Sequence, residues 1–133
     1  GRASFYRNFT DKEDVLRQEN DRLTAQWKQS YDALEHTAPN ELLVSLLDFY
    51  KERSDFYLAL YQAGLSGIVL QTLLEQSEIT PEMPNAMAYL KSSIAYMLYG
   101  WIVEWMKRGM QESGTELLKM FQTAPHSKIN SNC

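Results

Sequence analysis

Apolar residues along the chain recur at the three- and four-residue steps of helices. No segment alternates apolar and polar residues as a half-buried strand would. The first stripe predicts a helix from Asp11 to about Glu35 with one buried side, and Thr10 and Glu13 have the spacing of a capping box at its start. This stripe consists of Leu16, Leu23, Trp27, Tyr31 and Leu34.

Shorter helical faces follow between residues 43 and 74. Gly64 and Gly67 interrupt the pattern, and we expect a kink or a short turn there. Two close prolines predict a loop over residues 80–85, because proline is excluded from helix interiors. The middle of the chain is therefore predicted to be a series of short helices.

The segment 86–108 predicts a helix with two apolar stripes, whereas a surface helix needs only one. Such a helix is buried on both sides, most simply by a second copy of the chain and alternatively by its own neighbours. Gly109 suits a left-handed cap at its end. One stripe is Met87, Leu90, Ile94, Leu98, Trp101 and Trp105, and the other is Tyr89, Tyr96, Tyr99, Val103 and Met106.

A last helix is predicted after the capping box formed by Ser113 and Glu116, with Leu117, Leu118 and Phe121 on one face. The polar end of the chain is expected to be loose. The pattern as a whole predicts an all-α protein. Its 133 residues fit one domain.

Composition excludes several classes of protein. The longest apolar runs are too short for a membrane span, and the first residues lack an apolar signal-peptide core, so we expect a cytoplasmic protein without a membrane partner. The single cysteine, Cys133, excludes an internal disulfide framework and a cysteine-based zinc site.

Charge is unevenly distributed. The net charge of −4 argues on its own against a nucleic-acid partner. Residues 1–28, however, hold six basic and five acidic side chains, whereas residues 29–85 hold two basic and nine acidic ones. The first segment can approach phosphate more easily than the middle.

No catalytic constellation is recognisable. His36 and His126 stand alone near predicted helix ends, where solvation or capping is their expected role. Glycine-rich phosphate loops, nucleophile elbows and paired metal-binding histidines are missing from the sequence. We therefore expect neither an enzyme nor a metal or cofactor site.

The first sixteen residues resemble the end of the DNA-binding domain of the TetR/AcrR family. The resemblance rests on the run from Gly1 to Leu16, in which Phe5-Tyr6 and Phe9 precede a turn and then Asp11-Lys12-Glu13. It implies that residues 1–10 are a remnant of a helix-turn-helix, cut within its recognition helix, and that the sequence belongs to a longer protein. It further implies that Arg2, Ala3 and Ser4 face base edges, and that Tyr6, Asn8 and Lys12 contact phosphates.

The remainder is similar to the family's effector-binding and dimerisation domain, here residues 11–123, with a flexible tail over 124–133. Gly100, Trp105 and Gly109 further resemble the branch that contains the DhaS-like regulators. The resemblance implies a homodimer through a four-helix bundle. The residues expected at that interface are Ile94, Leu98, Trp101, Trp105, Leu117 and Phe121.

The predicted function is that of a transcriptional regulator. We expect a repressor that releases operator DNA when a small apolar or aromatic effector binds. The alternative is a DhaS-like regulator controlled by a protein co-regulator. A deep aromatic cavity would favour the small molecule, and a packed core with an exposed apolar surface would favour the protein. The candidate effector-pocket residues are Trp27, Tyr31, Phe56, Leu60, Tyr61, Ile68 and Tyr96.

Overall fold

The computed structural model describes residues 12–38 and 40–124, and these residues form six helices and no strand. The fold is therefore all-α, as the periodicity predicts. The helices are α1 Lys12–Asp32, α2 Glu41–Glu52, α3 Ser54–Gln62, α4 Gly67–Gln76, α5 Asn85–Lys107 and α6 Gly114–Thr123.

Two helices end at a glycine in the left-handed conformation, which forms their C-terminal cap. Gly64 (φ 79°) follows α3 and Gly109 (φ 88°) follows α5. After α5, the Gly109 amide donates to the Met106 carbonyl and the Met110 amide donates to the Trp105 carbonyl, which is the Schellman pattern. The predicted turn near Gly64 and the predicted cap at Gly109 are both confirmed.

The prediction that α1 reaches Glu35 is wrong, since the helix ends at Asp32. His36 folds back onto the Tyr31 carbonyl at 2.7 Å and so satisfies a carbonyl that a longer helix would have bonded internally. Leu34 consequently lies outside the helix and is 67% exposed. The predicted capping box at Thr10 lies outside the described residues.

The core forms around α2, which packs against α1, α3 and α6, while α5 packs against α3 and α4. Ser113 caps α6 by accepting a hydrogen bond from the Glu116 amide, as predicted. The most deeply buried large side chains are Leu46, Leu47, Tyr50, Tyr57, Leu60, Leu98, Ile102, Met106 and Met110.

The crossing of α2 and α6 is exceptionally close. A Cβ atom added to Gly114 would lie 2.6 Å from the Asp48 amide nitrogen and 2.8 Å from the Leu47 carbonyl carbon. Lys51 on the next turn of α2 donates to the carbonyls of Met110 and Gln111. These contacts fix the turn between α5 and α6 against α2.

Candidate effector groove and dimer face

The predicted DNA-contacting residues fall mostly outside the described chain. Arg2, Ala3, Ser4, Tyr6 and Asn8 lie outside the described residues. Lys12 is the first residue of α1 and is exposed. It lies in the first described turn of α1, and the first turn of a helix favours anions.

An open groove of ≈ 1160 Å³ lies between the second half of α1, the following loop and α2. We call it the α1–α2 groove. Trp27 and Tyr31 line it from α1, and Val44, Ser45 and Phe49 line it from α2. The Trp27 indole Nε1 donates to the Ser45 hydroxyl at 2.9 Å and thus joins the two helices at the groove.

Aromatic rings cluster along the groove. The Trp27 ring centroid lies 6.0 Å from that of Tyr31 and 6.1 Å from that of Phe49, within the range of favourable aromatic pairs. Trp27 is buried and Tyr31 is half-buried. The groove therefore has an apolar aromatic wall that solvent reaches at Tyr31.

Carboxylates line the same groove. Glu41, Asp48 and Glu52 recur along α2 at steps of seven and four residues, which places them on one side of the helix. Glu35 adds a fourth carboxylate from the loop after α1. The only basic side chains lining the groove in the described chain are His36 and Arg53.

His36 bridges the end of α1 and the start of α2. Its Nε2 lies 2.7 Å from the Tyr31 carbonyl and its Nδ1 lies 2.7 Å from Glu41 Oε2, so both ring nitrogens face acceptors. The ring stacks on Tyr31 at 3.6 Å between centroids. The hydrogen bond to Tyr31 and then those to Glu41 raise the pKa of His36, against the opposing effect of burial. Only the imidazolium donates to both acceptors at once.

Of the predicted effector-pocket residues, two line the α1–α2 groove and five do not. Trp27 and Tyr31 line the α1–α2 groove. The other five line neither this groove nor a small cavity of ≈ 60 Å³ between α2, α4 and α5. Leu60 and Ile68 are buried, Phe56 and Tyr61 are half-buried, and Tyr96 is exposed on α5. The four residues of α3 and α4 thus pack into or against the core, and Tyr96 lies outward on α5.

Among the residues that the structure describes, the neighbours of α5 cover it on one side only. The buried residues of α5 lie on the part of the helix surface between the two predicted stripes, and this part contacts α3 and α4. Six of the ten exposed large apolar side chains of the described chain lie on α5. We call this set the α5 face; it consists of Met87, Tyr89, Leu90, Ile94, Tyr96 and Met97.

The α5 face carries no charge. Lys91 is the one charged residue between 85 and 103, and its ammonium group donates to the Ser77 carbonyl at the end of α4, so it points away from the face. Charge returns only with the exposed pair of Glu104 and Arg108, 2.9 Å apart. A long uncharged and exposed apolar surface is uncommon on monomers and typical of interaction sites.

The predicted interface residues divide between the core and the surface. Leu98, Trp105, Leu117 and Phe121 are buried within this chain, because α5 and α6 turn these side chains toward α2, α3 and α4. They have little surface left for a partner. Ile94 is 39% exposed and Trp101 is half-buried, so these two remain accessible.

One buried polar link was missed at the sequence level. Asn20 is 2% exposed in the middle of α1, and its Oδ1 accepts a hydrogen bond of 2.8 Å from the Tyr57 hydroxyl on α3. Asparagine favours helix ends and turns, so an asparagine in a long helix was a local signal for such a tertiary bond. The link holds α1 against α3 below the groove.

Neither metal-binding clusters nor membrane spans occur in the part of the chain that the structure describes. No group of three histidine, cysteine, aspartate or glutamate side chains there is placed to hold an ion. None of the six helices combines the length and the apolar character needed to cross a bilayer. Comparison with protein-family models, curated proteins and solved structures finds no match.

Proposed function

We propose that this chain is the regulatory part of a dimeric, TetR-like transcriptional regulator that binds operator DNA and responds to a small effector in the α1–α2 groove. The observation that carries the proposal is the course of α1. This one helix begins at Lys12, next to the segment that resembles a recognition helix, and its last turns form the aromatic wall of the groove. A tilt of α1 on effector binding would therefore be transmitted to its DNA-proximal end.

The mechanism is a shift between two arrangements of the dimer. The effector binds better to the arrangement in which the two recognition helices are wrongly spaced for successive major grooves. Buried contacts keep α1 rigid against its neighbours, notably the bond between Asn20 and Tyr57. A rigid helix carries a displacement over its length of about 30 Å, given the rise of a helix per residue.

The dimer is proposed to form through the α5 face. Association of two copies would remove its uncharged apolar side chains from water, the main favourable contribution to most protein association. Trp101 and Met120 extend the surface toward α6, since Met120 is 46% exposed. Helices α5 and α6 of two subunits would then form a four-helix bundle of the kind the resemblance implies.

DNA binding is tested by titrating duplex DNA of mixed sequence with the complete protein, not this chain alone, at low salt, followed by fluorescence anisotropy. Lys12→Ala should weaken binding severalfold and lower the salt dependence by about one counterion. Lys28→Ala is the matched control, because Lys28 lies on the same helix near its other end. Absence of DNA binding, or equal effects of the two substitutions, would refute the proposal.

Dimerisation is tested by sedimentation equilibrium. Leu90→Glu combined with Met97→Glu puts two carboxylates into the α5 face and should yield monomers. Ile79→Glu, at an apolar residue that is 36% exposed outside this face, should leave the dimer intact. A wild-type monomer would contradict this part of the proposal.

A second candidate function is control by a protein co-regulator. A deep aromatic cavity is expected for a small molecule, whereas the α1–α2 groove is open; the packed core and the exposed α5 face favour this second candidate. A wild-type monomer that is bound by a co-regulator only while the α5 face is intact would support this candidate over self-association.

A further inference from the structure

We infer that the α1–α2 groove binds an organic cation with an aromatic or flat apolar body. The inference about binding stands on the groove itself. Only its regulatory consequence, release of DNA, rests on the proposed function. Three observations carry it: the form of the groove, its excess of carboxylates, and cations of this chain that already lie on its rings.

The groove is large enough for a small molecule, but it is open and does not enclose a ligand. Small-molecule sites usually enclose about 300–1,000 Å³ and combine apolar walls with a few polar groups. The ≈ 1160 Å³ here includes space that opens to solvent along one side. Trp27, Tyr31 and Phe49 supply the apolar wall, and the acidic side of α2 supplies the polar groups.

The charge of the groove favours a cation. Four carboxylates and two basic groups line the groove, and Lys28, which lies over Tyr31, is paired with Asp32. The groove is therefore negative even when His36 is protonated. Glu41 is engaged by His36 and by the Ala38 amide at 3.2 Å, and Glu52 lies 3.6 Å from Arg53. No salt bridge from a described residue reaches Glu35 or Asp48. Glu35 is exposed, whereas Asp48 is half-buried with its Oδ1 against Gly114 of α6, so both add negative charge to the groove but only Glu35 is fully open to solvent.

The rings of the groove already attract cations. The Arg53 guanidinium lies 4.3 Å from the centroid of Phe49, and the Lys28 ammonium lies 5.6 Å from that of Tyr31. The His36 ring stacks on Tyr31 as well. The Arg53 and Lys28 distances are those of cation–π contacts, so these ring faces lie where a positive charge is stabilised. Because the two side chains occupy the faces, an incoming cation would have to displace them. An anion of the same shape would meet the carboxylates instead.

The test uses two ions of nearly equal shape and opposite charge, tetraphenylphosphonium and tetraphenylborate. Each is titrated into the full chain, without DNA, by isothermal calorimetry. We expect measurable binding of the phosphonium and binding of the borate that is at least about tenfold weaker, since several carboxylates act on the charge. Equal affinity for the two ions, or no binding of the phosphonium, would overturn the inference.

Variants locate the site. Asp48→Asn with Glu52→Gln should weaken phosphonium binding about tenfold, because two charges of the groove are removed. Glu75→Gln with Glu82→Gln makes the same change of charge at exposed residues elsewhere and should leave the affinity unchanged. Tyr31→Leu should weaken binding and Tyr31→Phe should preserve it, since only the ring is required. Equal effects of the two double variants would place the cation outside the groove and overturn the inference.

The outcome remains distinct from that of the DNA experiment. Phosphonium binding with the expected variant pattern and no DNA binding would sustain the cation site and refute the proposed function. DNA binding without phosphonium binding would refute the cation site and leave the proposed function standing. When both occur, phosphonium should lower DNA affinity in wild type and not in the Asp48→Asn, Glu52→Gln variant.

Discussion

The α1–α2 groove and the α5 face are both surfaces that the chain leaves open, and they are built from opposite kinds of residue. The groove combines three aromatic rings with four carboxylates and two basic side chains. The α5 face consists of methionine, leucine, isoleucine and tyrosine side chains and carries no charge. The first is a concave polar and aromatic surface, and the second is one side of a long helix.

This difference indicates what each surface binds. The charged side chains of the groove are hydrated while it is empty. A ligand that displaces this water must therefore carry charge that matches them. The α5 face gains from burial of apolar area in proportion to the area covered, which a second protein surface provides better than a small molecule. The groove thus suits a small charged ligand, and the face suits a protein, with a second copy as the proposed occupant.

The largest effect is expected from Gly114→Ala. Gly114 packs α6 against α2, which lines the groove, and α6 also contacts α5, which carries the α5 face. The added Cβ would press on the α2 backbone at Asp48 and Leu47, and backbone atoms cannot turn aside as a side chain can. We expect a loss of about 1–3 kcal/mol in the free energy of unfolding, as for other overpacked sites. Urea denaturation measures it.

Gly67→Ala is the control, because a Cβ at Gly67 meets nothing within 4 Å. Phosphonium binding and dimerisation should both weaken in Gly114→Ala, since α6 also packs Phe121 against Trp101 of α5 at 5.6 Å. Equal stability of the two alanine variants would show that α2 and α6 are not in such close contact.

A second prediction separates the support of the groove from that of the face. Tyr57 and Tyr50 are buried neighbours with ring centroids 4.6 Å apart. Tyr57→Phe leaves Asn20 Oδ1 buried without its donor and should cost about 1–3 kcal/mol. The Tyr50 hydroxyl makes no hydrogen bond with a described residue. The Thr72 hydroxyl lies near it and donates to the Ile68 carbonyl at 3.4 Å.

Tyr50→Phe should therefore be neutral or stabilising, since it removes an unsatisfied buried group. Thermal and urea unfolding of the two variants compare them directly. Of the two, only Tyr57→Phe should also weaken phosphonium binding, because it loosens α1, and neither should alter dimerisation. A cost for Tyr50→Phe equal to that for Tyr57→Phe would contradict this distinction.

Ionic strength offers a third and smaller contrast within one protein. Raising the salt concentration from about 50 to 500 mM should weaken phosphonium binding severalfold, because it screens the carboxylates of the groove. The dissociation constant of the dimer should change little, since the α5 face has no charges to screen. Calorimetry and sedimentation on the same preparation give the two values. A dimer that dissociates as salt rises would indicate an ionic interface and reject the α5 face.

Local patterns predicted the helices well. The predicted helix 86–108 is observed as Asn85–Lys107, and the cap at Gly109 and the N-cap at Ser113 follow from residues within one turn. These features depend on neighbours in sequence. The end of α1 was missed because His36 replaces an internal hydrogen bond with one from a side chain five residues away.

Features that depend on packing partners could not be read from the sequence. The two apolar stripes of α5 indicated two-sided burial, but only the positions of α3 and α4 decide that Leu98 and Ile102 face the core and that Leu90 faces outward. The groove was missed in the same way. Trp27 and Tyr31 were predicted as effector contacts, whereas Asp48 and Glu52 belong to the groove only because α2 lies against α1.

The smallest expected effect concerns pH, and it again distinguishes the two regions. The pKa of His36 is raised in the folded protein, first by its bond to the Tyr31 carbonyl and then by Glu41 and Asp32, against the opposing effect of desolvation. A raised pKa adds stability that is complete below the unfolded value of 6.5 and is lost as pH rises through the folded value. His36→Gln should therefore be less stable than wild type near pH 5.5 and nearly equal to it near about pH 8.5.

Urea unfolding of the two proteins at several pH values measures this difference. The NMR signal of the His36 ring, identified by its absence from the spectrum of His36→Gln, reports the pKa of His36. The dimer should not respond, because residues 85–103 contain no histidine or carboxylate. A difference between wild type and His36→Gln that stays constant from about pH 5 to 9 would mean that His36 does not bridge α1 and α2 as an imidazolium. A pH-dependent dimer would instead mean that the interface includes titratable groups, and so lies elsewhere than on the α5 face.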